Sequence, residues 1–196
     1  MSNNFKAALQ STLQPTLPTT LLNIWQADTQ QRAFRQIMNA FARPGVIETL
    51  EAEALLLTLA TLLDGATTLA DFDGMLSEHD LARLEVGAAT AEQARFVLTN
   101  GEVAPAFMPS LGTLESPDMG ATIILKIQAI GSGNRLKLTG PGVDGACEVA
   151  VNGLHPAWIA AHQEWNSAFP LGVDMLLVAE HQVMALPRTT RIEEIK

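Results

Sequence analysis

Apolar positions recur along this chain with two spacings, and the spacing assigns the elements. Phe34, Ile37, Met38 and Phe41 fall on one face at helical intervals, with Asp28 or Thr29 placed to cap the first turn. Pro44 and Gly45 stop that helix. Residues 46–50 predict a short strand. Residues 51–63, rich in Leu and Ala, predict a second helix apolar over most of its circumference and so buried on more than one side. Thr67 to Ala70 reads as a weak strand. Ser77 and Asp80 open a third helical pattern through Leu81 and Leu84, closed by Gly87. Residues 94–99 predict a strand ending in an Asn100-Gly101 turn, and residues 104–118, with three prolines and no period, predict a loop.

The second half is richer in strands. Residues 121–130 give the strongest strand pattern. Gly131, Ser132, Gly133 and Asn134 then predict a turn into residues 135–139, where Arg135, Lys137 and Thr139 alternate with Leu136 and Leu138. Residues 147–151 form a further strand. His155 and Pro156 open a helix through Trp158, Ile159, His162 and Trp165, with proline in a tolerated first-turn position. Met175 to Ala179 is short and apolar throughout, the signature of a strand covered on both faces. Val183 to Leu186 follows closely enough to be its antiparallel hairpin partner. Helices between strands, with hairpins at the end, predict an α/β domain: one layered unit with a mixed sheet flanked by helices. The domain is expected over 23–196. Residues 1–22, with prolines at 15 and 18, are expected to form an extended or loosely held arm.

Composition narrows the partners. A chain of 196 residues with 47% hydrophobic content can bury a sizeable core, while only 17% charged residues leaves a thin solvated surface that hints at partners or self-association. The net charge of −9 opposes nucleic-acid binding, which needs a basic footprint, although a pocket can be locally basic. One cysteine, Cys147, precludes an internal disulfide and fits a reducing compartment. No secretory signal and no membrane-spanning run is visible, so a soluble cytoplasmic protein is expected.

Catalytic signatures are scarce. Gly140-Pro141-Gly142 has no N–H at Pro141 to point at an anion and no following Gly-Lys-Ser/Thr, so it reads as a turn. His79, His155, His162 and His181 never stand at metal-ligand spacing, so no metal is expected. Cys147 lacks adjacent basic residues, and no Gly-x-Ser-x-Gly elbow exposes a serine. The anion contact with the best chemistry is Arg188 with Thr189 and Thr190, a donor fork beside two hydroxyls after a rigid strand. Asp174 can instead hold Arg188 as a structural pair, and both readings stand open. Arg32, Arg35 and Arg43 form a second basic cluster near the first helix.

Five stretches in order carry a resemblance. Arg35-Gln36-Ile37-Met38-Asn39-Ala40 with Pro44 and Gly45 is the first, and Pro117 with Gly120-Ala121-Thr122 the second. Leu138 through Val143, containing Gly140-Pro141-Gly142, is the third. Asn166 through Asp174, containing Phe169-Pro170-Leu171-Gly172, precedes Ala185-Leu186-Pro187-Arg188-Thr189-Thr190. Together they resemble the PhnH family of the bacterial carbon–phosphorus lyase machinery. The resemblance implies a fold similar to pyridoxal-phosphate transferases without the cofactor. It also implies a subunit needed to form α-D-ribose 1-methylphosphonate 5-triphosphate from ATP and methylphosphonate, in a supporting or docking role. A homodimer that meets the G, I, J and L subunits is implied too. The alternative is an independent small α/β transferase binding a phosphorylated ligand near Arg188. Lys126 and Lys137, the only internal lysines, both fall in strand patterns and not in a loop poised for a Schiff base.

Overall fold

A computed structural model describes residues 24–195. The elements in chain order are α1 (Ala27–Ala42), β1 (Glu48–Thr49), α2 (Ala54–Leu62), β2 (Thr68–Asp71), α3 (Glu78–Leu84), β3 (Gly87–Ala88) and β4 (Phe96–Asn100). After a 3-10 turn (Pro117–Met119) come β5 (Thr122–Lys126), β6 (Ala129–Thr139), β7 (Cys147–Asn152), α4 (Ala157–Trp165), β8 (Asp174–Ala179), β9 (Gln182–Leu186) and β10 (Arg191–Ile195). The expected arm over 1–22 lies outside the described residues.

The architecture is the expected α/β arrangement with a mixed sheet. Seven strands lie in the order β1-β9-β8-β5-β4-β2-β3, with β3, β2, β4, β5 and β8 mutually parallel and β9 antiparallel to β8. β10, β6 and β7 make a separate antiparallel sheet. Two apolar clusters sandwich the larger sheet. On one face α1 and α2 cover Leu98, Ile124, Leu176, Val178, Val183 and Ala185. On the other, Ile123, Leu125, Met175, Leu177, Met184 and Leu186 meet Leu136 and Leu138 of the smaller sheet and Trp158 and Trp165 of α4. β8 lies between β5 and β9, so every residue from Met175 to Ala179 is buried, as its unbroken apolar pattern predicts.

Four local expectations are corrected. The buried stripe of α1 is Thr29, Ala33, Ile37 and Ala40, whereas Phe34 and Met38 are exposed; small residues let the helix approach α2 and β9 closely, and the large ones are left at the rim. Its N-cap is Gln26, so Asp28 sits inside the first turn and pairs with Arg32 at 3.3 Å. Ser77 caps α3 as expected, accepting from Asp80 N at 3.1 Å, but the helix closes on Glu85 in a left-handed conformation, and Gly87 begins β3. Residues 131–134 are not a hairpin turn. Ile130 and Asn134 both register with Val151, so the glycine-rich stretch is a bulge inside β6. β5 and β6 belong to different sheets, and β6 pairs with β7 on one side and β10 on the other.

Candidate functional site

Four of the five sequence stretches meet at one corner of the molecule, and the first ends at Pro44 against Gly142 of the third. β8 starts there at Asp174 and β9 leaves there at Leu186, because antiparallel pairing sets Met175 opposite Leu186. One residue outward on β8 is Asp174, two residues beyond the end of β9 is Arg188, and the two side chains meet there. Arg188 N donates to Asp174 Oδ1 at 2.8 Å, and its Nη2 donates to Oδ2 at 2.8 Å. Nε–H is shared between the two carboxylate oxygens at 3.4 and 3.2 Å. Nη1 donates to Pro117 O at 2.8 Å and to Pro170 O at 3.2 Å.

One guanidinium therefore ties four segments: the start of β8, the exit of β9, the 3-10 turn and the Phe169-Pro170 turn, whose peptide is cis. The two side chains are 14% and 24% exposed, so their charges are largely removed from water and their attraction is only weakly screened. The geometry realises the structural-pair reading of Asp174 and leaves Arg188 little free donor capacity.

The surrounding motifs are the packing that makes this corner possible. Gly172 has φ 142°, and a Cβ there would stand 1.9 Å from Asn166 Oδ1, the oxygen that accepts from Val173 N at 2.8 Å. Gly142, after Gly140 and Pro141, has φ 82°; a Cβ would meet Ala42 O at 2.3 Å, so this turn lies directly on the end of α1 beside Pro44 and Gly45. Pro187 O accepts the turn N–H of Thr190 at 2.9 Å.

A pocket of about 670 Å³ opens beside the corner, lined by His162, Asn166, Phe169, Thr190, Arg191 and Glu193 among others. Arg188 and Thr189 contribute to it, as does Pro141. Arg35 does not: it is exposed in a separate groove of about 450 Å³ with Arg32, Gln36 and Glu51. There Arg32 donates to Glu51 at 2.8 Å, which holds the Glu51 carboxyl below its usual range.

His162, which the sequence placed on a helix without a metal partner, is 1% exposed beside the pocket, its Nε2–H donating to Pro187 O at 3.1 Å. Burial pushes its pKa down, opposed by the carbonyls of Pro187 and Leu186 and by the Asp174 charge, so the neutral ring is favoured. His162 and Asn166 are one helical turn apart, a spacing that offered a signal; Arg191 carried none by itself.

The fold and this corner define a compact α/β domain whose sequence motifs serve one tied junction and the pocket beside it. The chain belongs to the PhnH family: the family model for the bacterial phosphonate metabolism protein matches residues 23–193. It is 48% identical over 172 residues to HtxG of Stutzerimonas stutzeri, named as a C-P lyase subunit protein, covering 86% of this chain and 88% of that one. It is 32% identical over 179 residues to the alpha-D-ribose 1-methylphosphonate 5-triphosphate synthase subunit PhnH of Rhizobium meliloti (strain 1021), covering 83% and 90%. Among the described residues no helix is long and apolar enough to cross a membrane.

Proposed function

We propose that this chain is the PhnH-type subunit of a carbon–phosphorus lyase assembly, required to form α-D-ribose 1-methylphosphonate 5-triphosphate during phosphonate catabolism. The observation that carries the reading is similarity along nearly the whole of two proteins named as subunits of such systems. Its role is to support and dock while another chain makes the bonds. In favour of this, the one guanidinium at the corner is held by its own neighbours, and the one buried imidazole in the pocket donates to a backbone carbonyl. The subunit works in the cytoplasm as a homodimer that meets the G, I, J and L subunits, and residues 23–196 act as one domain.

Its likeness to pyridoxal-phosphate transferases is one of fold. Lys126 is exposed at the end of β5 and Lys137 lies on β6, and neither is among the residues that line the corner pocket. The test is reconstitution with ATP and methylphosphonate. Product is expected from the other subunits only when this chain is added. Product from this chain alone, or from the others without it, overturns the proposal.

A further inference from the structure

α1 has two apolar faces, and the fold uses one of them. Thr29, Ala33, Ile37 and Ala40 are buried, whereas the larger Phe34 and Met38 stand 47% and 41% exposed. Burying small side chains while leaving large apolar ones in water inverts the usual placement. Ala27, Gln31, Phe34, Met38 and Phe41 follow one another at intervals of four, three, four and three residues, the spacing of a seam along which a second helix packs. The first four are exposed and Phe41 is half-buried. With 16 residues, α1 offers about 24 Å of this seam.

Charge says what kind of helix fits. Residues 27–43 carry three arginines and one aspartate, in a chain whose net charge is −9. Arg32 is taken up by Asp28 at 3.3 Å and Glu51 at 2.8 Å. Arg35 is exposed beside Phe34, one turn before Met38, and among the described residues no carboxylate stands within ion-pair distance of it. It lines the groove of about 450 Å³ together with Thr49 and Leu50. A guanidinium left over beside an apolar seam is complemented by a carboxylate at the edge of an apolar stripe. A second copy of α1 would bring two net-positive faces together, and residues 1–23 hold no acidic residue.

We propose that the outer face of α1 docks an amphipathic helix of another subunit, apolar along one stripe and acidic along its edge. Phe34 and Met38 enter between the partner's apolar side chains, and Arg35 meets its carboxylate at the groove beside β1. A helix read through apolar anchors at i and i+4 is a recurrent mode of recognition. That the partner belongs to a carbon–phosphorus lyase assembly rests on the subunit reading above; the face itself rests on the exposed seam and the unmatched arginine.

The test is titration of the purified full chain against the G, I, J and L subunits co-expressed without it. Wild type is expected to bind saturably. Phe34→Ala and Met38→Ala should each raise Kd about tenfold, with unchanged urea midpoints because both side chains are exposed. Arg35→Glu should raise Kd at least about tenfold, and salt should weaken wild type more than Arg35→Ala. The variant Met38→benzoylphenylalanine, irradiated in the complex, should cross-link to a helical segment of another subunit that carries Asp or Glu beside apolar residues.

A Kd within about twofold of wild type in both Phe34→Ala and Arg35→Glu overturns the proposal. So does a cross-link to a second copy or to residues 1–23, or no cross-link. Wild type that binds while these variants are silent sinks this face and leaves the subunit reading standing. Wild type that binds none of the subunits sinks that reading, and the proposal with it.

Discussion

Truncating Arg188 to alanine removes a side chain that makes five hydrogen bonds to four acceptor atoms: both carboxylate oxygens of Asp174 and the carbonyls of Pro117 and Pro170. The carboxylate keeps only one donor from this residue, the backbone N–H of position 188 at 2.8 Å. Breaking a fully buried ion pair costs about 3–5 kcal/mol; with the partners 14% and 24% exposed, water can reach part of what is left, and about 2–4 kcal/mol is expected here. For a chain of this size that lowers the melting temperature by about 5–15 °C.

The assay is urea unfolding of wild type, Arg188→Ala, Asp174→Ala and the double variant. If the two residues act as one tie, the double variant loses less than the sum of the singles, with a coupling of about 1–3 kcal/mol. Arg188→Lys keeps the charge but not the planar fork that spans carboxylate and carbonyls together, so it should recover less than half the loss. A loss below about 0.5 kcal/mol for Arg188→Ala, or single effects that simply add, refutes the corner as described.

Other outcomes test the surroundings. His162 is held neutral by burial, so its pKa lies below the ordinary 6.5. Stability tied to it is fully present above pH 6.5 and declines as pH falls below that value, because the unfolded chain takes up the proton first; His162→Gln should flatten this part of a stability–pH curve measured by urea unfolding. Thr58 Oγ1 is buried without a partner, on α2, far along the chain from the pocket motifs. Thr58→Val should stabilise by about 1 kcal/mol in the same unfolding assay. Gly172→Ala places a methyl group against Asn166 Oδ1 in a left-handed backbone region; a loss of at least about 3 kcal/mol, or no soluble protein, is expected on expression and thermal melting.

The resemblance to a family was legible because its motifs are local: a proline-glycine stop at 44 and 45, glycine turns at 140–142 and 169–172, and a proline-arginine exit at 187 and 188. What the motifs do was not legible. Gly140-Pro141-Gly142 reads as a turn in isolation, yet it is the surface on which the end of α1 rests, a contact across about a hundred residues. The two readings of Arg188 could be separated only by distances, since the Pro117 and Pro170 carbonyls that engage it come from segments remote in the chain. His162 was passed over because an imidazole on a helix carries no signal until its neighbours are known. Arg35, grouped with the basic residues of α1, proved to lie in a different groove.

Hydrophobic period, proline and glycine positions determined that this chain forms helices alternating with strands, that Met175 to Ala179 lies inside a sheet, and that the two last long apolar runs pair as a hairpin. Those properties depend on neighbours in sequence. Tertiary structure alone decided that α1 buries Ala33 and Ala40 while exposing Phe34 and Met38, that the glycines of β6 bulge without reversing the chain, and that the guanidinium of Arg188 is satisfied from within. Each depends on how close two surfaces come and on which donors find acceptors there, and neither is set until distant segments have packed.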